Sequence, residues 1–135
     1  MQSPQSLQLT IRKILWFAFF NAIVIYNLII FLTLGNAKTA HRVVRELSLN
    51  DPMIVGICIA GALVCLGSLI LARYPLSASA QDYPKFIIRM ALSEVPAVLG
   101  LMLAFTTLQP EPLWVASAVS IALLILHRPT TSETV

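Results

Sequence analysis

Charged side chains are scarce in this sequence. Only 11% of its 135 residues are Asp, Glu, Lys or Arg, whereas 58% are hydrophobic. A soluble globular domain is about one-quarter charged and about half apolar. So few polar groups cannot cover a folded surface in water, and we therefore expect an integral membrane protein whose outer surface contacts lipid.

The residues of catalytic and metal-binding motifs are also few. The chain has two His and two Cys, with no CxxC, no HExxH and no His/Cys cluster. We predict no metal site and no cofactor, and the lack of a phosphate loop or a catalytic triad indicates that the protein is not an enzyme. The nine Lys and Arg are dispersed without an aromatic-interleaved stripe, so nucleic-acid binding is not expected.

Four apolar segments divide the chain, and a membrane-spanning helix needs about 20 such residues. They predict an all-α integral membrane domain of four transmembrane helices, arranged as two helical hairpins, with spans at about 14–34, 53–71, 84–108 and 112–126. Residues 37–50 combine apolar side chains at helical spacing with basic ones, which predicts an amphipathic helix on the membrane surface. Residues 129–135 are polar and are expected to form a disordered tail.

Four spans place both termini on one side of the membrane. That side carries most of the Lys and Arg, and the 37–50 connection carries the remainder: Lys38, Arg42 and Arg45. Basic residues concentrate on the cytoplasmic side of membrane proteins. We therefore expect both termini in the cytoplasm, with the protein in a bacterial inner membrane.

Small residues are concentrated in the second span. Gly61 and Cys65 fall on one side of the predicted helix, and Gly56, Ala60 and Gly67 fall on the opposite side. Small side chains let helix backbones approach closely in lipid. This pattern predicts a central helix, packed on both sides by other helices of the chain, by further copies of it, or by other membrane subunits.

Glu94 is the acidic residue with the greatest potential for chemistry. It lies roughly 12 Å along the third span from Phe86, near the middle of a hydrocarbon core about 30 Å thick. A charged carboxylate is costly there, so we expect Glu94 to be buried and neutral, paired, or facing a wet cavity. Such a carboxyl group could bind a proton or a cation reversibly.

Several residues near Glu94 could support that role. Pro96 frees the carbonyl of Leu92 and can bend the helix. Arg89 is five residues from Glu94 and therefore not on the same helix face. The candidate neutral partners are Ser93, Asn21 and Asn27. Alternatively, Glu94 serves only as an interhelical hydrogen-bonding group in a non-catalytic accessory or scaffold subunit.

The segment Ala91-Leu-Ser-Glu94, followed by Gly100, resembles the carboxylate-bearing helix of rotary ATPase proteolipids, the subunit c hairpins. The resemblance is confined to this helix. It implies that Glu94 is the ion-carrying position and Gly100 a packing position. The longer pattern Ile-Ile-Arg-x-Ala-Leu-x-Glu-x-Pro is also similar to that of small four-helix bacterial membrane proteins.

Overall fold

The computed structural model describes residues 4–34, 51–74 and 82–129. These residues form four helices and no strand: α1 (Pro4–Leu34), α2 (Pro52–Ala72), α3 (Tyr83–Thr107) and α4 (Glu111–Leu126). The prediction of four helices in an all-α chain is confirmed. Helices α1, α2 and α3 are long and apolar enough to cross a membrane, whereas α4 has only 16 residues. The predicted surface helix at 37–50, and all of the predicted tail except Pro129, lie outside the described residues.

A proline lies at the start of each of the four helices, and α1 begins at Pro4. Pro52, Pro84 and Pro112 each occupy the first or second position of α2, α3 and α4. Proline is tolerated there because the first amides of a helix have no intrahelical acceptor. Asp51 caps α2 by accepting a hydrogen bond of 3.0 Å from the backbone amide of Met53.

Helices α3 and α4 form a tight antiparallel hairpin. Leu108 ends α3 in a left-handed conformation, with φ of 58°. Gly100 lies where the two helices cross, because a Cβ atom on it would be 3.0 Å from the carbonyl oxygen of Pro112 and would collide with Cβ of Ala116. Glycine therefore allows the close approach of the two backbones.

Helix α3 occupies the centre of the bundle. Helix α1 packs on one flank, in a core formed by Ile23, Phe86, Met90, Ala97 and Leu124. Helix α2 packs on the opposite flank, where Gly61 would place a Cβ atom 3.6 Å from Leu99 Cδ1. Of the two predicted hairpins, the structure forms α3–α4, whereas α1 and α2 lie on opposite sides of it.

Within the described bundle, the central helix is α3 and not α2. The packing of both small faces of α2 stays a prediction, because it includes contacts with further copies of the chain or with other membrane subunits. Within the described residues, a Cβ atom on Gly56 or Gly67 would meet no atom within 4 Å, and Ala60 is exposed. Small residues permit close approach but do not require it. The central position falls to α3, whose buried face includes Ser93, Ala97, Gly100 and Ala104.

The helices alternate in direction, so both ends of the described chain lie at the same end of the bundle. There, the Arg12 guanidinium lies 5.5 Å from the ring centroid of Phe86, and Arg89 donates a hydrogen bond to the carbonyl of Tyr74. His127, just after α4, contacts Ser93. We call this the terminal end. The opposite end, which contains Asp51 and the α3–α4 turn, is called the turn end.

Candidate functional site

Glu94 is held by a tyrosine from the first helix. The hydroxyl of Tyr26 donates a hydrogen bond of 2.5 Å to Oε1 of Glu94, across 68 positions of sequence. Tyr26 also packs against both apolar cores of the bundle, so its ring is fixed between them. Glu94 lies near the middle of α3, and Tyr26 lies about two-thirds of the way along α1, so the pair is about three turns from the nearer end of α3.

Glu94 is only half-buried, at the edge of the α1–α3 interface, and not enclosed between helices as the sequence suggested. Among the described residues, no Lys, Arg or His forms an ion pair with it. Its partner is therefore a neutral hydroxyl group rather than a cation.

The other residues proposed as partners of Glu94 point elsewhere. Ser93 donates to the carbonyl of Arg89 at 2.8 Å, and Arg89 itself bonds to Tyr74. Asn21 bonds to the carbonyl of Phe17 in its own helix at 3.0 Å. Asn27 lies beside Tyr26 in sequence but contacts α4.

Pro96 is buried, and α3 continues through it. The next amide, that of Ala97, donates a hydrogen bond of 2.9 Å to Oγ of Ser120 in α4. A proline disturbs the helical ladder around it, and an adjacent helix can satisfy the backbone groups concerned. Ser120 therefore fixes the α3 backbone one turn beyond Glu94.

The small residues of α2 and α3 border an apolar cleft of about 160 Å³ between α2 and the hairpin. Gly61, Cys65, Pro96 and Gly100 are among its lining residues. The cleft offers almost no polar surface, so it cannot bind an ion. Within the described ranges, no three His, Cys, Asp or Glu side chains come together in a way that could hold a metal ion.

His127 forms a second polar cluster, at the terminal end. Its Nδ1 lies 3.1 Å from Oγ of Ser93 and 2.8 Å from the carbonyl of Leu123. The side chain is buried, and this burial lowers the pKa of His127. The nearby charge of Arg89 lowers the pKa further, whereas hydrogen bonds to the Leu123 and Ser68 carbonyls oppose the shift. The imidazole is therefore neutral at pH 7.

Sequence reasoning missed both Tyr26 and His127. Tyr26 carries a polar hydroxyl in the middle of an apolar span, which is a usable signal, since buried tyrosine hydroxyls require a partner. His127 directly follows an apolar run, a position that indicates only the end of a helix. Its burial depends on Ser93 and on the tertiary packing around it, which the local sequence does not show.

Glu94 and Tyr26 together offer two carboxylate oxygens and one hydroxyl. Divalent cations require more ligands, since Ca²⁺ takes six to eight oxygens and Mg²⁺ requires six in an octahedron. A single proton requires one carboxylate oxygen and one hydrogen-bonding partner. The pair is therefore suited to binding a proton.

No family model, curated protein or solved structure matches this chain.

Proposed function

We propose that this chain is a small polytopic membrane protein that reversibly binds a proton at Glu94. The observation that carries the proposal is the 2.5 Å hydrogen bond from Tyr26 to Glu94, which joins two helices able to span a membrane and lies near the middle of α3. The proposed partners of this protein are the lipid bilayer and either further copies of the chain or other membrane subunits. We place it in a bacterial inner membrane, with its basic terminal end in the cytoplasm.

The tyrosine hydroxyl suits a group that changes its protonation state. A hydroxyl can donate one hydrogen bond and can also accept one. It donates to the charged carboxylate, and it can accept from the protonated carboxyl group after a rotation of its own O–H bond. Both states of Glu94 therefore keep a partner without movement of either helix.

Among the residues that the structure describes, no cation pairs with Glu94, and this favours reversible protonation. An Arg or Lys beside Glu94 would hold the carboxylate in its charged form. With a neutral hydroxyl instead, the charged form is penalised by the surrounding lipid and the neutral form is not. The resemblance of the Ala91–Gly100 segment to proteolipid helices supports the same role for Glu94.

A hydrophobic carbodiimide tests the proposal, because this reagent modifies protonated carboxyl groups within lipid. We expect it to modify Glu94 in membranes, as read by mass spectrometry of the intact protein, and we expect the modified fraction to fall as the pH rises. Glu94→Gln should abolish the modification. Glu111→Gln is the matched control, because Glu111 is exposed at the turn end and its replacement should leave the modification of Glu94 unchanged.

Tyr26→Phe provides a second readout, since it removes the hydroxyl and retains the ring. We expect this variant to shift the pH range over which Glu94 is modified, because the charged carboxylate loses its hydrogen-bond donor. If Glu94 remains unmodified at every pH tested while Glu94→Gln is fully stable and functional, the proton-binding proposal is wrong.

A second candidate function is that of an accessory or scaffold subunit. The observation in its favour is that several helix interfaces are joined by hydrogen bonds from side chains. Trp16 Nε1 donates to the Leu124 carbonyl at 2.8 Å, and Asn27 donates to Ser117 at the same distance. In that case the Tyr26–Glu94 bond is one more such link. Gln should then replace Glu94 without any loss of function.

A further inference from the structure

Charges in the described bundle are segregated between its two ends. All six Lys and Arg of the described residues lie at the terminal end: Arg12, Lys13, Arg73, Lys85, Arg89 and Arg128. They come from all four helices or from residues directly after them. The acidic residues of the turn end are Asp51 and Glu111, and Asp82 is the acidic residue described at the terminal end. Folding thus assembles a basic surface from positions dispersed along the chain.

Three of the six cations are engaged within the bundle. Lys85 lies 2.6 Å from Asp82, Arg89 bonds to the carbonyl of Tyr74, and Arg12 lies over the ring of Phe86. The other three, Lys13, Arg73 and Arg128, are exposed and have no acidic partner among the described residues. We call these three residues the rim cations.

The helix dipoles account for the positions of only some of these basic residues. Arg73 and Arg128 follow the C-termini of α2 and α4, where a cation is favourable. Helices α1 and α3, however, begin at this same end, and neither has an acidic residue in its first turn. The N-terminus of a helix favours a negative charge. The terminal end therefore presents an excess of positive charge that an external anion would neutralise.

Each rim cation is next to an exposed apolar side chain. Ile14, directly after Lys13, is 64% exposed, and Leu126, two residues before Arg128, is 55% exposed. Ile70, three residues before Arg73, is 50% exposed. Cationic and apolar groups therefore alternate along the edge of the bundle. An anionic phospholipid can contact both kinds of group, the cations through its headgroup and the apolar side chains through its acyl chains. A free phosphate ion would contact only the cations.

We infer that the terminal end binds anionic phospholipid headgroups through Lys13, Arg73 and Arg128. Because α1 and α2 lie on opposite flanks of the bundle, the headgroup phosphates of separate lipids contact the rim cations, and the acyl chains pass along the exposed apolar residues beside them. Trp16, near the same end, suits the interfacial position that aromatic residues favour. This inference does not depend on the protonation of Glu94.

The two tryptophans supply internal probes, because Trp16 lies towards the terminal end and Trp114 lies at the turn end. The Trp114→Phe variant reports only from Trp16, and the Trp16→Phe variant reports only from Trp114. Each is reconstituted in phosphatidylcholine vesicles that contain equal amounts of brominated phosphatidylglycerol or brominated phosphatidylcholine. The expected result is stronger quenching of Trp16 by the anionic lipid, and equal quenching of Trp114 by both.

The triple variant Lys13→Gln, Arg73→Gln and Arg128→Gln removes the rim cations. Each cation near an anionic surface changes binding by about fivefold, so the preference of Trp16 for the anionic lipid should fall steeply in this variant. The matched control Lys38→Gln, Arg42→Gln and Arg45→Gln removes the same charge from the connection between α1 and α2. It should leave the preference of Trp16 intact.

Three results would overturn the inference. The first is equal quenching of Trp16 by both lipids, and the second is an anionic preference that survives in the triple variant. The third is displacement of the anionic lipid by millimolar inorganic phosphate, which would show a site for the free ion. Circular dichroism establishes whether each variant is folded. If the triple variant is unfolded, the test is repeated with the double variant Arg73→Gln and Arg128→Gln.

Discussion

The side-chain amide of Asn27 joins α1 to α4 through a 2.8 Å hydrogen bond to the hydroxyl of Ser117. The same amide nitrogen lies 2.8 Å from the Ile23 carbonyl within α1. The preceding residue, Tyr26, bonds to Glu94 in α3. Two adjacent residues of α1 therefore contact both helices of the hairpin, and this contact fixes the rotation of α1 that presents the Tyr26 hydroxyl to Glu94.

Asn27 and Ser117 should be energetically coupled. A double-mutant cycle with Asn27→Ala and Ser117→Ala is expected to give a coupling of about 0.6 kcal/mol, the mean for interhelical hydrogen bonds in a membrane protein. The measurement is the free energy of unfolding in mixed detergent micelles. Asn21→Ala serves as the control, because Asn21 bonds only within α1 and should show no coupling to Ser117. A coupling of zero for Asn27 would contradict the contact.

Gly100 should tolerate no larger side chain. Gly100→Ala introduces a Cβ atom against backbone atoms of Pro112 and Leu113, which cannot move independently of α4. We expect a loss of about 1–3 kcal/mol in the free energy of unfolding, as for other overpacked sites. Gly56→Ala is the control and should cost no stability, because its Cβ atom meets open space. Equal stabilities of the two variants would show that α3 and α4 cross elsewhere.

His127 should make the stability of the bundle depend on pH. Its pKa is lowered in the folded protein by burial and by Arg89, so the unfolded chain binds a proton more readily than the folded one does. The free energy of unfolding is then greatest above the ordinary histidine pKa of about 6.5, and it falls as the pH drops below that value. Thermal unfolding in detergent at pH 7.5 and pH 5.5 measures the change.

Two variants isolate the contribution of His127 to this pH dependence. His127→Gln should reduce the fall in stability between the two pH values, whereas His41→Gln should leave the fall unchanged. If both variants respond as the wild type does, the pH dependence has another origin and His127 is not protonated on unfolding.

Both ends of the described chain lie at the terminal end of the bundle, and this arrangement predicts the membrane topology. Reporter fusions after Arg128 and within residues 37–50 should report opposite sides of the membrane, with the C-terminal fusion in the cytoplasm. The motivation is that all described Lys and Arg lie at the terminal end. A periplasmic C-terminus would reverse the orientation, and two fusions on the same side would contradict an even number of spans.

The elements of this fold follow from local chemistry, and for that reason the sequence predicts them. Apolar runs bounded by Pro52, Pro84 and Pro112 indicate where helices begin, and Asp51 supplies the cap that its position suggests. The first helix is longer than its predicted span, since α1 begins at Pro4 rather than near residue 14. The first turns of α1 are polar, so a criterion based on hydropathy does not detect that they are helical.

The contacts between elements could not be predicted in the same way. The sequence places small residues on two sides of α2, but it does not show whether another helix occupies either side. Glu94 was correctly singled out as a residue that needs a partner, yet each polar residue named for it bonds elsewhere. The partner, Tyr26, is 68 positions away, and only the rotation of α1 against α3 determines that the two side chains meet.

The central position of α3 has a consequence for the order of assembly. Synthesis proceeds from the N-terminus, so α1 and α2 emerge before the helix on which both of them pack. In the proposed membrane protein, each would persist in the bilayer as an isolated helix until α3 follows, and both are more apolar than α3. Helix α3, which carries Arg89 and Glu94, would then enter when Tyr26 is already present to pair with the carboxyl group. Helix α4 then folds back on α3 through a short loop, and only at this last step can α1 form its distant contacts with α4, such as that of Asn27 with Ser117.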